Sequence, residues 1–174
     1  MRKWISASGA ILISTLAFGS HGLAAAPQSA AGEPAARGAQ AASIARGRYL
    51  VQITGCNDCH TAGYAERGGH VAEGDWLQGV PVGFRGPWGV SYPANLRRTV
   101  ARLSEAQWLS FARAERLPPM PWFALRDMSD ADLRDLYRYI RSLGAAGTAT
   151  PVAVAPGAPV TTPVIDFVPQ MPLA

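Results

Sequence analysis

Cysteine is nearly absent from this chain: two residues in 174, both inside the run Cys56-Asn57-Asp58-Cys59-His60. That scarcity excludes a multi-bridge disulfide scaffold and a four-cysteine zinc site. Charge is sparse as well, at 16%. The arginines are scattered among acids rather than clustered, so the basic face of a nucleic-acid binder is missing. Half of the formal +4 comes from Arg2 and Lys3 at the very start. No segment alternates apolar and polar residues in the manner of a half-buried strand. The apolar stretch Ile5 to Phe18 is too short to span a bilayer comfortably. No paired catalytic acid and base, and no activated nucleophile, is apparent.

What is present is the Cys-x-x-Cys-His run, the pattern of a c-type haem attachment site. On a helical turn, positions i, i+3 and i+4 share a face. Cys56, Cys59 and His60 therefore project together: two thiols for thioether bonds to the haem vinyls, and an imidazole as proximal iron ligand. One such run implies one covalent haem c. Three other readings of the run compete less well. Structural zinc needs four ligands, and beyond the signal only His60 and His70 are left to complete a set. A thioredoxin-like pair needs strand–helix alternation around it. A disulfide across so short a loop leaves His60 without a role.

Four regions follow from composition. Residues 1–26 have the layout of a secretory signal peptide: basic residues, an apolar stretch, then small residues at Ala24 to Ala26. This implies export to the periplasm. Residues 27–40 are rich in Ala, Gly and Pro and read as a flexible linker. Residues 41–144 form the folded domain, and 145–174 an extended Pro/Ala-rich tail. The apolar segment from Pro163 to Pro169 makes that tail either a docking strap or a disordered end.

Three helices are expected in the domain. The first is capped by Ser43 and carries Ile44, Gly47, Leu50 and Val51. The second starts at Ser104 with Gln107 as a capping box, and Pro118-Pro119 stop it. The third is capped by Ser129 and carries Leu133, Leu136, Tyr137, Ile140 and Leu143 at helical spacing before Gly144 ends it. The expected fold class is all-α, wrapped around the cofactor. Residues 61–98 read as a loop rich in Gly and aromatics. Within it Arg85, Trp88, Tyr92, Asn95 and Arg97 are candidate donors to the haem propionates.

Met120, in Leu117-Pro118-Pro119-Met120-Pro121-Trp122, is the leading candidate for the sixth iron ligand. Flanking prolines fix the backbone, and a weak thioether ligand has to be held at the metal. Met128 and His70 stay open as alternatives; Met171 lies in the tail.

Together, Cys56-x-x-Cys59-His60, the proline-flanked Met120 and the terminal aromatic helix resemble a class I monohaem cytochrome c. That family packs a glycine of the first helix where an aromatic of the last helix crosses it, and Gly47 and Tyr139 occupy those places. Residues 89–96, Trp108, Met120-Pro121 and Met128-Ser129-x-x-Asp132-Leu133 are also similar to cytochrome subunits of bacterial alcohol and sugar-acid dehydrogenases. Those subunits usually carry three haem motifs; this chain has one. The resemblance implies a class I fold and one-electron transfer between a periplasmic dehydrogenase, or other redox donor, and a respiratory acceptor. It implies His60/Met120 ligation and no catalysis. A haem enzyme or gas sensor, with an open distal site influenced by His70, is the rival reading.

Overall fold

The computed structural model describes residues 32–169 and 171–172. The expected signal peptide and the first residues of the expected linker lie outside them. Six helices are present in this stretch: α1 (Gly32–Ile53), α2 (Cys56–His60), α3 (Leu96–Ala101), α4 (Glu105–Arg113), α5 (Trp122–Asp127) and α6 (Asp130–Ser142). Three short strands accompany them: β1 (Gly83–Gly86), β2 (Gly89–Ser91) and β3 (Val164–Asp166).

The helix α1 begins eleven residues before Ser43, inside the segment read as a flexible linker. Lack of large apolar residues removes a core but not helix propensity, and alanine is the best helix former. The packed second half of α1 seeds the helix, and residues 33–42 continue it while exposed. Ser43 is therefore buried in mid-helix instead of capping it. Its hydroxyl donates to the Asp135 carboxylate and accepts from Arg138 at 3.1 Å. Further along the same face, Gly47, Leu50 and Val51 are buried.

Gly47 sits where α1 crosses α6. A Cβ at this position would collide with the Asp135 carbonyl and lie 2.7 Å from the Tyr139 Cβ. The glycine thus sets how closely the two helices approach, as the family resemblance implied. Tyr139, 1% exposed, donates to Glu73 at 2.7 Å, and Arg48 of α1 donates to the same carboxylate. Partial burial alone would raise the Glu73 carboxyl. The bonds from Tyr139 and Arg48 outweigh it and hold the group below its ordinary range. Burial and the Glu73 bond together push the Tyr139 phenol well above its own. A depressed carboxyl contributes stability above its unfolded pKa and loses it as pH falls through the folded value. Glu73→Gln should therefore destabilise the protein at neutral pH by less than about 1 kcal/mol, because the pair is well solvated. The gap from wild type should close in acid, below about pH 4. Urea denaturation between pH 3 and 7 checks this; a gap independent of pH would contradict it.

The start of α4 has the expected capping box: Gln107 N–H donates to Ser104 Oγ, and Ser104 N–H donates to Gln107 Oε1. It ends at Arg113, before the prolines, and the cis Pro118-Pro119 pair lies in the following loop. For α6, Ser129 is the cap, and Leu133, Leu136, Tyr139 and Ile140 are buried along it. Trp108 Nε1 donates to the Leu133 carbonyl at 2.7 Å, tying α4 to α6.

The all-α expectation is corrected by a three-stranded sheet in the order β2-β1-β3. The β1–β2 pair is an antiparallel hairpin, and β3 joins β1 in parallel. Strands of three or four residues are too short to display a period of two, and the third comes from the tail, far away in sequence. Helices α3 and α5, six residues each, escaped periodicity for the same reason of length. The described part of the tail packs back on the domain.

Candidate haem site

Gly55, at φ 70°, turns the chain from α1 into the single turn of α2. That turn brings Cys56, Cys59 and His60 together on the wall of one cavity of about 320 Å³. Both thiols are free, and desolvation pushes each above the ordinary cysteine range. The buried His60 ring has Nδ1 2.7 Å from the Ala94 carbonyl. This contact makes Nδ1 the protonated nitrogen and leaves the lone pair of Nε2 for a metal. Desolvation lowers the imidazole pKa, which keeps the ring neutral as a ligand must be.

Leu96, Trp108, Ala112, Leu136 and Ile140 supply helical walls to the same cavity. The loop before α5 adds Leu117, Pro119, Met120 and Pro121, and Met128 follows from the end of α5. Met120 is thus in the same cavity as His60, and so is Met128. His70 is exposed and does not line it. Nothing places His70 to complete a zinc set with the cysteines either.

Of the five expected propionate donors, only Tyr92 lines the cavity. Asn95 caps α3, accepting from Arg98 N–H, and donates to the Ala146 and Thr148 carbonyls. The buried Arg97 donates to Gly74, Leu143 and Gly144 carbonyls, closing the end of α6. Arg85 is exposed and paired with Asp166, and Trp88 donates to the Phe84 carbonyl. A polar residue in a Gly-rich loop can serve its own backbone as well as a ligand, and sequence does not separate the two.

Among the lining residues with no role expected from the sequence, two stand out. Ala153 comes from the tail and carries no signal in the sequence. Arg116, four residues before Met120, lines the cavity without a carboxylate partner among the described residues. It lies 4.3 Å over the Phe111 ring and donates to the Phe111 carbonyl; burial lowers its pKa.

Two thiols and a neutral imidazole on one helical turn, facing an apolar cavity with a thioether in its wall, form the donor set for a covalently held haem. A family model described as cytochrome c matches residues 44–144, which carry nearly all of that cavity. The chain belongs to the cytochrome c family. Its cofactor is haem c, with Cys56, Cys59 and His60 as the attachment motif, and the family works in electron transfer. Comparison with curated proteins and with solved structures finds no match.

Proposed function

We propose that the protein is a monohaem electron carrier of the periplasm, with His60 and Met120 as the axial ligands. The observation that carries this reading is the loop holding Met120. Prolines stand on both sides of it, Ser91 Oγ donates to the Pro118 carbonyl at 2.5 Å, and Trp122 N–H donates to the Met120 carbonyl at 2.8 Å. A backbone so fixed, beside the cavity that His60 also lines, needs little rearrangement to present the Met120 thioether as a ligand. Met128 has a structural task instead, packed against the core between α5 and the cap of α6. The haem supplies one-electron redox chemistry. The protein holds it by Cys56 and Cys59, keeps the His60 tautomer fixed through Ala94 and surrounds it with apolar side chains. His/Met ligation with low solvent exposure favours a high potential.

Export is supported by the signal-like residues 1–26. Among the described residues no helix is long and apolar enough to cross a membrane. The proposed partners are a periplasmic dehydrogenase as donor and a respiratory acceptor, met through brief contacts of small area. The position of His70 outside the cavity weakens the gas-sensor reading, which needs a distal base.

The visible spectrum of the protein expressed with its haem tests the proposal. A low-spin ferric form with the weak red methionine–iron band, and a ferrous form indifferent to carbon monoxide, are expected. A high-spin ferric spectrum, with rapid carbon monoxide binding after reduction, would overturn it in favour of an open iron.

A further inference from the structure

The family match ends at residue 144, yet the chain beyond it is built into the site. From 146 to 167 the tail passes Asn95 and Gly79, then the β1–β2 hairpin, and is bonded at successive points. Asn95 holds the Ala146 and Thr148 carbonyls. Val90 and Val154 exchange both backbone bonds, at 2.8 and 2.9 Å. Tyr92, itself a cavity residue, shares a 2.6 Å hydrogen bond with Thr162. Then β3 pairs with β1, Arg85 grips Asp166, and Phe167 meets Phe84 edge to face at 5.4 Å. Phe84 and Ala153 both line the cavity.

The domain is shaped to receive this segment. A Cβ at Gly89 would collide with the Val154 carbonyl, and one at Gly79 would come within 2.5 Å of the Thr150 methyl. Both glycines have positive φ, at 95° and 77°. Three of the polar loop residues, Arg85, Tyr92 and Asn95, have their side chains engaged with the tail. A disordered end or a free docking arm would have none of these fixed partners.

We propose that residues 146–167 are a permanent strap that closes the haem cavity on its hairpin side, excludes water there and so holds the reduction potential up. The inference rests on the haem site but not on the identity of the sixth ligand. Water close to a haem favours the more highly charged ferric state, and solvent exposure is one of the levers that set such potentials. The strap is thus a determinant of potential added by this chain outside the family domain.

The test compares holoprotein of full length with two altered forms, a truncation after Thr148 and full-length Val154→Pro. The proline removes the N–H that donates to the Val90 carbonyl. Val154→Ala, which keeps that N–H, serves as the conservative control. Haem should stay covalently attached in all of them, because the thioethers are made at Cys56 and Cys59. Both altered forms should show a lower midpoint potential, and hydrogen exchange of the Val90 amide should be at least about tenfold faster, the loss of one or both hydrogen bonds of the pair. Val154→Ala should match the wild type in both. If the truncated form does not fold, Val154→Pro decides alone. Faster exchange with an unchanged potential would overturn the strap as a cavity wall. Unchanged exchange would overturn the strap itself, and an equal shift in Val154→Ala would remove its backbone pairing as the cause. The spectrum of the unaltered protein reports the haem and its ligands separately, so failure there is not confused with failure here.

Discussion

Replacing Met120 with leucine is expected to abolish the weak red band of the ferric protein and open the iron to carbon monoxide in the ferrous form. The midpoint potential should fall by on the order of 100 mV or more, given that each tenfold change in a one-electron equilibrium is about 59 mV. Leucine nearly conserves the volume of methionine, so the wall of the cavity is kept while the sulfur is lost. The fold should therefore survive, and the spectral change reports ligation rather than collapse. Met128→Leu is the discriminating partner experiment, because Met128 lines the same cavity. It should retain the band and nearly all of the potential. The reverse outcome, a silent Met120→Leu with loss of the band in Met128→Leu, would transfer the ligand role to Met128. Two silent variants would point to a different sixth ligand altogether.

Gly47→Ala should be strongly destabilising although it adds only a methyl group. The new methyl would meet the backbone carbonyl of Asp135, and backbone in the middle of α6 has no rotamer by which to withdraw. The two helices would have to separate along a crossing that buries Leu50, Val51 and Tyr139. Overpacking of this kind costs about 3 kcal/mol, a large share of the roughly 5–15 kcal/mol by which a domain is stable. The gain in helix propensity from glycine to alanine, about 1 kcal/mol, does not offset it. Gly38→Ala is the matched control, since that glycine lies in the exposed first half of α1 with nothing near it. It should be neutral or slightly stabilising. Thermal unfolding of the two holoproteins checks the contrast; a Gly47→Ala protein melting with the wild type would mean that the α1–α6 crossing is more pliable than its geometry indicates.

Much of the arrangement was legible in the chain because its signals are local. Cys56, Cys59 and His60 are tied by the helical turn, whose spacing places them on one face whatever surrounds it. The capping box at Ser104 and the cap at Ser129 are likewise set by residues three apart, and both occur where expected. The Gly47–Tyr139 crossing was implied by family resemblance and is present.

Where reasoning from sequence went astray, a contact distant in the chain decided the outcome. Ser43 has the composition of a cap, but its partners Asp135 and Arg138 lie ninety residues on, and they hold it inside a helix that begins earlier. Asn95 and Arg97 look like ligand donors, yet the return of the chain after α6 presents carbonyls that take their hydrogens. The tail gives no helical or strand period of its own. It acquires a strand only because β1 offers an unpaired edge, and glycines at 79 and 89 leave space for Thr150 and Val154 earlier in its course.

The sequence by itself determined the attachment chemistry, the helix boundaries that depend on caps and the set of residues able to ligate iron, since each depends on neighbours within one or two turns. Only the tertiary structure decided that His70 lies outside the cavity while Met120 and Met128 lie within it, and that the polar loop residues hold the tail. Those outcomes depend on which segments meet across the cavity, and burial is a property of the packed chain that no local spacing encodes.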